Sequence, residues 1–274
     1  MDFRWNVLMY ALALSTIGTW TAGSLAGEKP GRRPLRMVVD EYHQFARPDS
    51  FSHGFSLNPD ERELIYHYAT DAIGIVNGLF VLKQLISPDF TTEVSVDPIG
   101  PDLARQADAF MIICPPKAQK GGPPTLTSAD ADHLEAFVAQ GGMLVLVYNS
   151  VDDPQKDGFD FNGMNRVARR FGLEFLTTMT RTLLIPIARD HPVFFGARGI
   201  IYGNGTTIKV HPQPDTQHDI LLESNNPDVT GTVAVRSRFK RGTVLALGDA
   251  GTLGNTHAFR DPTQPVRDHV AQWR

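Results

Sequence analysis

A chain of 274 residues, 42% apolar and 20% charged, can build a full globular core, and no repeat or low-complexity tract interrupts it. A formal charge of −4 excludes bulk electrostatic attraction to nucleic acid, because domains that bind it carry a basic excess. Cys114 is the single cysteine, so no intrachain disulfide can form and stability must come from burial.

Arg4 precedes an apolar run from Trp5 to Trp20, and Ser24-Leu25-Ala26 ends it with small residues where a signal peptidase reads. This divides the chain into an export signal over residues 1–26 and one domain over 27–274, and it places the mature protein in the periplasm or outside the cell. The alternative is an uncleaved anchor, since the run nearly reaches spanning length. Only in that case is a membrane a partner. The residue directly after Ala26 is Gly27 and not a cysteine, so a lipoprotein anchor has no support.

Residues 35–40 form a short apolar strand that ends in Asp40-Glu41-Tyr42-His43. After a polar loop, Asn58-Pro59-Asp60-Glu61 is a helix start: Asn caps, Pro pre-sets the first helical φ, and Glu61 takes the capping-box position. Ile65, Tyr68, Ala72, Val76, Leu79 and Leu82 continue at helical spacing to about residue 86. Residues 92–96 are a second strand, and the wholly apolar 109–113 is a third and central one. A helix starts at Ser128 and stops at Gly141-Gly142, leading into a fourth buried strand over 143–147. Residues 161–171 are helical.

From about Thr180 the pattern changes to strands separated by turns at 203–205, 225–227 and 241–242, and residues 264–273 close as a helix. In residues 232–240, Arg236, Arg238 and Lys240 alternate with Val233, Val235 and Phe239. That is a half-buried strand with a solvated face or, in a sharper reading, an anion-binding stripe. Gly242 marks a tight turn, and Thr243 to Leu247 leads to Gly248-Asp249-Ala250-Gly251, which delivers a carboxylate to a strand's carboxyl end. The fold class is α/β: a flavodoxin-like, mostly parallel sheet with helices on both faces and an antiparallel C-terminal extension. In such sheets ligands sit at the carboxyl ends of the strands.

The order of these pieces resembles the class I glutamine amidotransferase-like superfamily, in its non-catalytic exported bacterial branch, related to the GIFT domain and to ThuA-like proteins. The matching motifs are Val38-Val39-Asp40-Glu41, Asp108-Ala109-Phe110-Met111-Ile112-Ile113, the run from Leu134 to Val145, His191-Pro192, and Gly242 to Asp249. The resemblance spans residues 35–273. The resemblance implies the flavodoxin-like fold, and in the family a cysteine nucleophile on a sharp elbow after the fourth strand. This chain has Tyr148-Asn149-Ser150-Val151-Asp152 there, with neither a cysteine nor flanking glycines. The glutaminase chemistry is therefore not expected.

Two residues are candidates for a relocated nucleophile. Cys114 is followed by Pro115, which has no N–H for an oxyanion hole, so a small packed hydrophobe is its reading. Ser150 lies near Asp152 and Asp153 but has no histidine in its segment and no G-x-S-x-G, so it reads as a turn serine. The candidate ligand-binding set is Asp40, Glu41 and His43 at the first strand end, Asn149 and Ser150 at the elbow, and Asp249, Asn255 and His257 after the last strand. Asp40 and Asp249 can equally serve as caps for helix or loop amides. The spacing matches no metal motif, and no cofactor is expected. The expected role is non-catalytic binding of a small molecule, carbohydrate or protein partner. A hydrolase acting on carbohydrate and an envelope scaffold are the alternatives.

Overall fold

A computed structural model describes residues 35–40, 42–43, 90–115, 124–149, 160–177, 183–186, 199–202, 205–226 and 229–250. The helices expected over 58–86 and 264–273, the export signal, and Glu41, Ser150, Asn255 and His257 lie outside the described residues.

Seven strands form one sheet. Its strands are β1 (Leu35–Asp40), β2 (Phe90–Ser95), β3 (Ala109–Ile113), β4 (Met143–Val147), β9 (Thr216–Asn226), β10 (Val229–Phe239) and β11 (Gly242–Leu247), in the spatial order β2-β1-β3-β4-β11-β10-β9. The pairs from β2 through β11 are parallel, and β10 and β9 add on as an antiparallel edge. The parallel part has the flavodoxin-like order, which reverses direction between β1 and β3.

Composition explains which strands are central. β3 (AFMII) and β4 (MLVLV) are apolar at every position and buried at every position, as strands covered on both faces must be. They pair in register from Ala109↔Met143 to Ile113↔Val147, and β11 takes the other side of β4 from Thr243↔Met143 to Leu247↔Val147. β2 alternates with polar residues because it lies at an edge.

Three helices are described: α1 (Leu103–Gln106), α2 (Ser128–Ala139) and α3 (Phe161–Ala168), the last continued by a 3-10 turn over Arg169–Phe171. α2 starts at Ser128, as expected, behind a reciprocal capping box between Thr127 and Asp130. Leu134, Phe137 and Val138 bury one side of α2, and the helix packs on β4, β11 and α3. The four-residue α1 was not expected; only Leu103 anchors it in the core.

The turn expected at 241–242 falls one residue earlier, on Lys240 and Arg241. Phe239 pairs with Gly242 across the hairpin, and Lys240, at φ 51°, takes the left-handed position itself. Gly242 is needed for another reason: a Cβ there would run into the carbonyl oxygens of Val138 and Gly142. The antiparallel region also differs from the single extension expected. β9 and β10 join the main sheet, whereas β5 (Leu173–Phe175) pairs with β8 (Ile208–Val210), and β6 (Leu183–Pro186) with β7 (Gly199–Tyr202), as two separate two-stranded sheets.

Candidate functional site

The strand order reverses between β1 and β3, the place where open α/β sheets bind ligands, and β1 delivers Asp40 to the carboxyl end there. Asp40 is 0% exposed and His43 is 1% exposed. A tight turn brings His43 back over the strand end, where its backbone N–H donates to Asp40 Oδ1 at 3.4 Å and its Nδ1 donates to Asp40 Oδ2 at 2.8 Å. The turn is tied down on its other side, since Tyr42 N–H donates to the Ser95 carbonyl at the end of β2. The Tyr42 ring stands edge-on to the imidazole at 5.0 Å.

The opposite imidazole nitrogen faces a residue that the sequence did not single out. His43 Nε2 lies 3.6 Å from Asp130 Oδ2, an ion-pair distance rather than a full hydrogen bond. Asp130 is the acidic member of the α2 capping box: it accepts from Thr127 N at 2.7 Å and from Thr127 Oγ1 at 2.6 Å, while its own N–H donates to Thr127 Oγ1. The imidazole is thus held between a strand end and a helix start.

Electrostatics follow from this arrangement. Burial disfavours the His43 cation, but the hydrogen-bonded and charged carboxylates of Asp130 and Asp40 outweigh it and raise the imidazole from 6.5 to about 9. Burial likewise opposes the Asp130 anion, and His43 together with Thr127 overcomes it, lowering the carboxyl from 3.8 to about 2. Asp160, the cap of α3, accepts from Gly163 N at 2.8 Å and Leu126 N at 3.2 Å; burial nevertheless raises its carboxyl above the ordinary value. At neutral pH His43 is an imidazolium. It has no lone pair to accept a proton.

The β3 end carries Cys114, buried, with φ 42° and its backbone N–H given to the Val147 carbonyl at 2.9 Å. Pro115 follows, and its carbonyl accepts from Asp160 N at 2.6 Å. The elbow after β4 is equally committed. Tyr148 is fully buried against Phe175 and Phe161, with its N–H on the Leu247 carbonyl. Asn149 bridges to Gly205 and accepts the Ala250 N–H on its side-chain oxygen at 2.5 Å.

The expected ligand residues therefore fall into two groups. Asp40 and His43 are in direct contact at β1. Asn149 and the loop holding Asp249, itself 0% exposed, are together at β4 and β11. β3 and β4 stand between Asp40 and Asp249, so three interstrand spacings, ~14 Å, separate them along the same end of the sheet. Among the described residues no group of three or more His, Cys, Asp or Glu is arranged to hold a metal ion. No helix among them is long and apolar enough to cross a membrane.

The Arg236–Lys240 stripe is partly neutralised. Arg236 donates from Nε and one terminal nitrogen to Asp219 Oδ2 on β9, at 3.0 and 2.9 Å, and Arg238 reaches the same oxygen at 3.0 Å. Lys240 lies over the Phe239 ring at 5.0 Å. Val233, Val235 and Phe239 are buried on the other face, as the alternation required.

No family model matches the sequence, and no curated protein matches it. Solved structures do. The mmIFT52 N-terminal domain aligns over 87% of this chain and 96% of its own, at 14% identity and a TM-score of 0.58. A putative ThuA-like protein from Bacteroides uniformis ATCC 8492 aligns over 88% of this chain and 91% of its own, at 14% identity and a TM-score of 0.47. The exo-beta-1,4-mannosidase Op5Man5 from Opitutaceae bacterium strain TAV5 aligns over 88% of this chain but 35% of its own, at 14% identity and a TM-score of 0.47. At such identities the likeness is one of fold, and the mmIFT52 domain carries it.

Proposed function

We propose that this chain is an exported, non-catalytic binding module on an amidotransferase-like fold, taking a small molecule, carbohydrate or protein partner at the carboxyl end of the sheet. The observation that carries this reading is how the polar groups at those strand ends are occupied. His43 is clamped as a cation between Asp40 and Asp130, and the elbow residue Asn149 is spent on the Ala250 amide. A general base needs a lone pair near neutral pH and access to substrate; His43 has neither. A nucleophile elbow needs a free amide after it, and Cys114 is followed by proline. What is left at the strand ends is a buried polar framework that offers neither a general base nor a nucleophile. The glycosidases of similar fold are distant and do not favour the hydrolase alternative.

A thermal-shift screen with neutral and uronic oligosaccharides tests the proposal, because a ligand that binds the folded state alone raises Tm by mass action. Stabilisation without product formation supports the module. Release of reducing sugar overturns it. A protein silent to every sugar but retained on a single envelope partner narrows the ligand to protein.

A further inference from the structure

The outer face of α3 holds a site that the strand ends do not use. Asn162, Arg166, Arg169 and Arg170 follow one another at intervals of four, three and one, which brings all four to one side of α3 and its 3-10 continuation. Met164, Val167, Ala168 and Phe171 occupy the other side and are buried. The polar four line an open cavity of about 460 Å³, within the range that holds a sugar-sized molecule.

The three guanidinium groups differ in how they are engaged. Arg169 pairs with Glu174 at 2.5 Å, and Arg170 with Asp132 at 2.5 Å and Glu135 at 3.5 Å. Arg169 and Asp132 are largely exposed and Arg170 partly so, and surface ion pairs of that kind are weak enough to exchange for a better anion. Arg166 is placed otherwise. It donates to the Leu126 carbonyl, and among the described residues no carboxylate stands within ion-pair distance of it. The Leu126 contact holds its guanidinium in place, and the Asp160 carboxylate acts on it electrostatically from beyond ion-pair distance. A fixed guanidinium flanked by two exchangeable ones, with an amide one turn away, suits an anion that accepts from several directions. A tetrahedral dianion does so better than a planar monoanionic carboxylate.

We propose that this face of α3 binds a phosphate monoester carried on a sugar-sized molecule, with Arg166 as anchor, Arg169 and Arg170 closing on the phosphoryl oxygens, and Asn162 meeting a hydroxyl. The inference rests on the outer face of α3 and stands or falls apart from the strand-end reading.

Titration calorimetry of the whole domain, at constant ionic strength, tests it with glucose 6-phosphate, inorganic phosphate, glucuronate and glucose. The expected order is saturable binding of glucose 6-phosphate, weaker binding of inorganic phosphate and glucuronate, and none of glucose. Arg166→Gln should weaken glucose 6-phosphate about tenfold or more, the usual worth of a charge-assisted hydrogen bond. Asp132→Asn, which releases Arg170, should tighten it. If Arg166→Gln fails to fold, the exposed Arg169→Gln reads the same site with a severalfold loss. Absence of saturable binding, or equal affinity in wild type and both arginine variants, overturns the site. Equal affinity for inorganic phosphate overturns the monoester assignment.

Discussion

Removing the charge from His43 tests the central electrostatic argument. The imidazole sits at 6.5 when unfolded and at about 9 in the folded protein. At ~1.4 kcal/mol per pH unit, that difference makes the clamped cation worth ~3 kcal/mol. A raised folded value means the contribution is complete below pH 6.5, declines as pH rises, and is gone above about pH 9. Asp130 limits the other side: its lowered carboxyl adds stability that is present above 3.8 and lost as pH falls through about 2. Because the two report one shared ion pair, their energies are not summed. Urea denaturation from below pH 6.5 to above pH 9 should show the wild type losing ~3 kcal/mol. His43→Gln should be less stable at the acid end by about 3–5 kcal/mol, since it leaves two buried carboxylates uncompensated, and its profile should be flatter over that window. Asp130→Asn should be milder and should move the inflection towards lower pH. Parallel pH profiles for wild type and both variants would refute the clamp.

Gly242→Ala should cost ~3 kcal/mol, measured by chemical denaturation, because the two carbonyls it would strike belong to backbone that cannot step aside. Asn149→Ala should cost about 1–3 kcal/mol and speed hydrogen exchange at Ala250, whose buried amide loses its acceptor. Ammonia release from glutamine should be undetectable in wild type and in Cys114→Ser alike; Cys114-dependent release would overturn the reading of Cys114 as a packed hydrophobe. Asp219→Asn should cost about 1 kcal/mol or less in water and raise affinity for heparin, since it uncovers Arg236 and Arg238, and an unchanged heparin elution would show the stripe to be inert.

The sequence revealed its strands better than its neighbourhoods. Residues 109–113 and 143–147 read correctly to the residue because a covered parallel strand is an unbroken apolar run, and residues 35–40 did so because Met37, Val38 and Val39 make a short apolar run closed by Asp40. Asp40 and His43 were legible as a pair because they lie only three positions apart. Asp130 was not, although Thr127-Ser128-Ala129-Asp130 is a readable capping box, because its second partner comes from another strand's end and only tertiary structure brings it there. Strand order likewise decides that Asp249 stands with Asn149 and not with Asp40, and local pattern carries no record of which strand pairs with which. The arginines of α3 alternate with buried Val167 and Phe171 and read as an ordinary solvated helix face until the cavity over them is seen.

The place of β11 has a consequence for how the chain is made. β4 finds its first neighbour in β3, close by in sequence, but its second in a strand near the end of the described chain. During synthesis the Met-Leu-Val-Leu-Val edge of β4 must therefore wait with one row of amides and carbonyls unpaired until β11 arrives. A message cut short before Gly242, or a proteolytic nick that removes the β10–β11 hairpin, would leave that edge open for good. An apolar open edge is a template for pairing with other chains, so truncated products should end in aggregates or with quality-control proteases rather than as partly working proteins.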